Sequence, residues 1–96
     1  MRPRLVSVAE QELREAVDYY EATQPGLASR FLEEIEASLE RIASHPEAWV
    51  KISARTRRCR VNRFPFGLCY QIRPEEIIVV AVMDLRRDPR RWEDRV

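Results

Sequence analysis

Apolar residues recur at helical spacing in the first half of the chain and at strand spacing in the second. Ala9, Leu13, Ala16, Val17 and Tyr20 fall at steps of three and four and form one stripe, with Glu10, Glu12, Arg14, Glu15 and Asp18 on the remaining faces. Ser7-Val8-Ala9-Glu10 has the form of a capping box, so Ser7 is expected to cap this helix and Glu10 to reach back. Gln24-Pro25-Gly26 then breaks it. A second stripe, Ala28, Phe31, Leu32, Ile35, Leu39 and Ile42, predicts a helix over residues 27–44. Pro46 disfavours helical geometry at His45 and ends it there. Two amphipathic helices joined by a short turn make an antiparallel hairpin, and neither can bury its stripe without a common surface to pack on.

The second half supplies that surface. Over residues 57–63 the pattern alternates, with Cys59 and Val61 on one face and Arg58, Arg60 and Asn62 on the other. Arg57 and Arg63 share parity with the apolar pair and are expected at the strand ends. Phe64-Pro65-Phe66-Gly67 reads as a turn, and Leu68, Tyr70 and Ile72 alternate along the next strand. After a second turn at Arg73-Pro74-Glu75-Glu76, residues 77–83 form a continuous β-branched-rich run, as in a central strand buried on both faces. These three strands predict an antiparallel meander, and a short strand over residues 2–6 is expected at one edge. The fold class is α+β: an N-terminal α-helical hairpin packed on a small, mainly antiparallel β-sheet, as one domain over residues 1–96. Beyond the last strand, Asp88 and Pro89 are placed to start a final helical turn anchored by Trp92, whose simplest role is to cover the open edge of the core.

Composition narrows the chemistry. No apolar run approaches the ~20 residues of a membrane span, and the N-terminal residues lack the apolar stretch of a secretory signal, so the chain is expected to be cytoplasmic. Cys59 and Cys69 then read as reduced core thiols. With one histidine, His45, and no CxxC pair, no metal is expected. With only Gly26 and Gly67, a Gly-rich phosphate loop is excluded, and no cofactor is expected. No nucleophile-and-base constellation can be assembled.

The net charge of +1 conceals a strong asymmetry. Residues 1–48 hold five Lys/Arg and ten Asp/Glu, whereas residues 49–96 hold twelve and six. Between Lys51 and Arg63 there are six basic residues and no acidic one. Such asymmetry concerns partners and not fold. Arginine chemistry is what remains, because guanidinium groups stay charged and bond phosphate or carboxylate bidentately. Arg58 and Arg60 on one strand, with Arg86, Arg87, Arg90, Arg91 and Trp92 after the last strand, are the candidate partner-binding residues. Convergence of these arginines on one concave surface would suit an RNA backbone or an acidic peptide equally.

At this point an ordered set of motifs becomes specific. It runs Ala9-x-x-Glu12-Leu13, Tyr19-Tyr20, Gly26-Leu27-Ala28-x-Arg30-Phe31-Leu32, Ile42-Ala43-x-His45-Pro46 and Arg57-Arg58. It continues Arg63-Phe64-Pro65-Phe66-x-Leu68-x-Tyr70 and Ile78-Val79-Val80, and closes Asp84-Leu85-Arg86-Arg87-Asp88-Pro89-x-x-Trp92-x-x-Arg95. Over nearly its whole length the chain resembles the RelE/ParE toxins of bacterial type II toxin–antitoxin systems, and more closely the ParE, plasmid-stabilisation branch.

The resemblance implies a partner, a ParD-like antitoxin whose acidic C-terminal segment wraps the toxin and orders on binding. It implies contact with operator DNA only through that antitoxin. It also implies two modes of toxicity. ParE-like members inhibit DNA gyrase by protein–protein contact, whereas RelE-like members are ribosome-dependent mRNA endonucleases. Arg58, Arg60 and Arg87 correspond in position to the arginines of the nuclease branch. Where that branch often has a late Tyr or His, this chain has Trp92, which cannot transfer a proton. Asp84 stands where many relatives carry His, and a carboxylate of ordinary pKa, about 4, is a poor general acid near neutrality. The resemblance therefore implies a gyrase inhibitor first, a ribosome-dependent endoribonuclease second, and a non-toxic binding module of the same fold third.

Overall fold

The computed structural model describes residues 2–87, 92, 93 and 95. The elements are β1 (Arg4–Leu5), α1 (Ser7–Thr23), α2 (Leu27–Ser44), β2 (Val50–Lys51), β3 (Arg57–Arg60), β4 (Phe66–Ile72) and β5 (Ile77–Asp84). The two helices pack on one face of a five-stranded mixed sheet of order β1-β5-β4-β3-β2. β1 runs parallel to β5, and the remaining pairs are antiparallel. This is the α+β hairpin-on-sheet architecture that the sequence predicts, with differences of detail that have physical causes.

Helix α1 is not capped by Ser7. Ser7 is already helical, Val6 occupies the N-cap position in extended geometry, and no side chain caps it. The reason lies in β1: the Val6 N–H donates to the Val79 carbonyl at 3.0 Å while the Val6 carbonyl accepts from Glu10 N–H at 2.9 Å. Strand pairing and helix thus meet at one residue, leaving no room for a separate cap. The interhelical turn is as predicted, with Gly26 at φ 87° before α2, a conformation that glycine adopts without the Cβ penalty. α2 covers the predicted span and buries Ala28, Phe31, Ile35, Leu39 and Ile42, while Leu32 lies at the exposed flank of the stripe.

Two strands are shorter than the alternation suggests. β1 pairs only Arg4 with Ile78 and Leu5 with Val79, and β3 ends at Arg60, where the chain turns and Arg63 takes a φ of 70°. β2 is an addition, two exposed residues paired with Arg57 and Arg58. The Arg57 guanidinium holds this edge by donating to the Glu47 and Trp49 carbonyls at 3.0 and 2.8 Å.

β4, not β5, is the middle strand. β5 is nevertheless buried on both faces, as its uninterrupted apolar run predicts. Its register against β4 jumps from Cys69↔Ala81 to Tyr70↔Val79, leaving Val80 as a bulged residue. Ile77, Val79 and Val82 therefore join the core beneath the helices with Leu68 and Tyr70. Ile78, Val80, Ala81 and Met83 join Cys69 on the opposite face. Beneath the helices, Tyr20, Phe31, Phe64 and Phe66 form an aromatic cluster with ring centroids 5.0 to 6.1 Å apart. The Tyr70 hydroxyl donates to the Pro46 carbonyl and ties the exit of α2 to the middle of the sheet.

Cys59 and Cys69 are both buried and free, on opposite faces of the sheet. Burial pushes the Cys59 thiol up and the Cys69 thiol up to about 12, so both are expected to resist a thiol reagent at neutral pH until the chain unfolds. Labelling that is complete under native conditions would contradict this placement. Leu39→Ala, which truncates a side chain 3% exposed, is expected to lower stability by about 2–5 kcal/mol in urea unfolding.

Candidate functional site

β1 covers β5 for only two residues, and beyond them α1 crosses close to the uncovered edge. Glu12, Ala16 and Tyr19 recur at one helical face and form one wall of a groove of about 490 Å³. Residues 81–84 of β5 form its floor with Phe66, and Arg86, Arg87 and Trp92 form the facing wall. Tyr19 is 58% exposed, so the groove presents an accessible aromatic ring above an apolar strand edge.

At one end of the groove lies Glu12. Its carboxylate accepts from the Val82 N–H at 3.0 Å and from the Arg95 guanidinium at 2.7 and 2.8 Å. Arg95 also donates to the Val80 carbonyl at 3.1 Å. At the other end Asp84, opposite Phe66 in the ladder, faces the helices. It accepts the Arg86 guanidinium bidentately at 3.0 and 2.9 Å and the Arg86 backbone N–H at 3.0 Å. Arg87 approaches the same carboxylate at 3.8 Å and keeps a side chain that is 69% exposed. The Arg86 side-chain hydrogen bonds, with its backbone N–H and the Arg87 charge, hold Asp84 below the usual carboxylate range despite partial burial. An aspartate so held is not a proton donor near neutral pH.

The candidate arginines do not share a single surface. Arg58 pairs with Cys69 in the ladder and Arg60 with Gly67, which places both on the face of the sheet away from the helices. Gly67 allows Arg58 to lie flat across the strands, since a Cβ there would sit 3.0 Å from Arg58 Cγ and Cδ. Arg86 and Arg87 are drawn the other way, to Asp84 and the helix-side groove. Arg90 and Arg91, with the expected turn at Asp88 and Pro89, lie outside the described residues. Trp92 packs against the outer cluster of Cys69, Ile78, Val80, Ala81 and Met83 while lining the groove, so it does cover that core. Among the described residues no group of three or more His, Cys, Asp or Glu could hold a metal ion, and no helix is long and apolar enough to cross a membrane.

Glu12, Tyr19 and Arg95 were not among the residues the arginine pattern singles out. The available signal was positional: Glu12 lies three residues after Ala9 and four before Ala16, a carboxylate on the flank of a buried stripe.

Asp84 stays ionised to lower pH in the folded chain than in the unfolded one. It therefore adds stability above its unfolded value, near 3.8, and that increment disappears as pH falls through the lower folded value. Asp84→Asn is expected to narrow the difference in urea-unfolding stability between about pH 7 and about pH 2. Equal pH dependence in the two proteins would show that the Arg86 contacts do not hold the carboxylate.

With this geometry in view, the similarities to known proteins are direct. A structure of the chromosomal ParDE TA system from P. aeruginosa superposes with a TM-score of 0.71 at 16% identity, over 88% of this chain and 96% of that one. At that identity the match establishes the fold. No curated protein sequence matches the chain. The family model described as the ParE toxin of the type II toxin–antitoxin system, parDE, matches residues 4–89, and the chain accordingly belongs to the ParE family of type II toxins.

Proposed function

We propose that this toxin inhibits DNA gyrase by protein–protein contact and is held inactive by a ParD-like antitoxin, an acidic segment of which lies in the groove between α1 and β5 and reaches Arg87. The observation that carries the reading is the division of the arginines between two sides of the sheet. Cleavage of RNA by an arginine cluster needs several guanidinium groups around one phosphate and a group able to transfer a proton. Here Arg58 and Arg60 lie on one side and Arg86 and Arg87 on the other, Asp84 is tied to Arg86, and Trp92 carries no transferable proton. The groove combines Tyr19, Trp92 and arginine over an apolar floor, the composition favoured at the energetic centres of protein interfaces.

Expression alone should arrest growth with gyrase-dependent DNA breaks and intact mRNA, and co-expression with a cognate ParD-like antitoxin should restore growth. Arrest with intact DNA and mRNA cut at codon boundaries would replace this reading with the ribosome-dependent nuclease. Normal growth would leave a binding module without toxicity. Arg87→Ala is expected to weaken antitoxin binding measurably by calorimetry while changing stability by no more than about 0.5 kcal/mol, as exposed substitutions do. Unchanged affinity would remove Arg87 from the interface.

A further inference from the structure

Two residues that the groove's chemistry leaves unexplained, Glu12 and Arg95, lie 83 positions apart in the chain and meet in a bidentate ion pair. Their side chains are 14% and 15% exposed. Together they engage the backbone of β5 just past the point where β1 ends. The Val80 carbonyl receives the Arg95 guanidinium and the Val82 N–H meets the Glu12 carboxylate. One side chain supplies the donor and the other the acceptor that a neighbouring strand would have supplied. Val80, the bulged residue, has no partner in β4, and β1 reaches only to Val79.

We propose that the Glu12–Arg95 pair is a latch that closes the β5 edge past β1 and, through the Arg95 N–H donated to the Trp92 carbonyl at 3.2 Å, holds Trp92 against the sheet, with latched and unlatched states of one fold. Three observations carry this. First, the pair is the link among the described residues that fastens Arg95 to both α1 and β5. Second, the helix and sheet cores close around residues from elsewhere in the chain, with Trp92 packed at their margin. Third, the two halves of the latch are not equivalent. Loss of Arg95 leaves Glu12 still accepting from Val82, whereas loss of Glu12 removes that acceptor as well. Unlatching extends the groove along β5 from Asp84 back to Val80 and frees backbone groups for pairing with an extended segment. The device is independent of the antitoxin and gyrase readings, because its readouts need no partner.

The test uses the full chain with Trp49→Phe, which leaves Trp92 as the sole tryptophan. Arg95→Ala should raise the acrylamide quenching constant of Trp92 about threefold while far-UV circular dichroism stays unchanged, the behaviour of a local opening. Arg95→Lys, which keeps the charge but not the two-pronged geometry, should fall between the two. Glu12→Ala should expose Trp92 equally and also speed exchange of the Val82 amide at least about tenfold over Arg95→Ala. Unchanged quenching in Arg95→Ala would show that Trp92 is held without the latch and would overturn the proposal. Global unfolding of both Arg95→Ala and Arg95→Lys would also overturn it, since the pair would then belong to the cooperative core. Equal Val82 exchange in Glu12→Ala and Arg95→Ala would remove the role assigned to the carboxylate at the edge.

Discussion

A backbone amide or carbonyl buried without a partner costs about 1–3 kcal/mol, and β5 carries such groups along the edge that β1 leaves uncovered. Much of the molecule answers that requirement. Val6 ends strand pairing and begins α1 in a single residue, which brings the first turns of the helix alongside the same edge. Glu12 can then reach Val82, and Arg95 closes over Glu12 and Val80. Past these contacts the helix and strand diverge enough to leave the groove between Tyr19 and Trp92. The groove is thus what remains of an edge that was only partly satisfied from within.

The parts legible in the sequence are those governed by local periodicity. α2 announced itself through a stripe from Ala28 to Ile42 and a proline after its end, and the buried face follows that stripe closely. The antiparallel meander was equally plain, because Cys59, Leu68 and Tyr70 alternate as buried strands do. What escaped was decided by distant partners. The capping box at Ser7 is a sound local motif that loses to the pairing of Val6 with Val79. β2 has two exposed residues and no alternation to read. The bulge at Val80 sits inside an all-apolar run, where parity leaves no trace. Without it the faces of residues 80–84 could not be assigned, so neither could the side on which Arg86 and Arg87 emerge. The Glu12–Arg95 pair joins the two ends of the chain, and no spacing rule reaches across 83 residues.

The basic character of the second half also changes meaning once its members are placed. Arg57 is spent on two carbonyls at the β2 edge, and Arg86 on Asp84. A charge count that suggests one broad cationic patch resolves into arginines with separate duties, some fastening loops and edges and others, such as Arg60, presented to solvent.

The bulge at Val80 sets more than the packing of one strand. Strict alternation of the same residues from Val79 would put Met83 beneath the helices and Asp84 on the outer face; with Val80 and Ala81 sharing the outer face, the bulge turns Asp84 to the helix side. Arg86 and Arg87 follow wherever Asp84 points, and on the outer face they would join Arg58 and Arg60. The same residues paired in strict alternation would thus gather on one surface the guanidinium groups that this fold keeps apart. The register shift in one strand, and not the identity of any arginine, decides whether this scaffold carries a divided or a concentrated cationic surface.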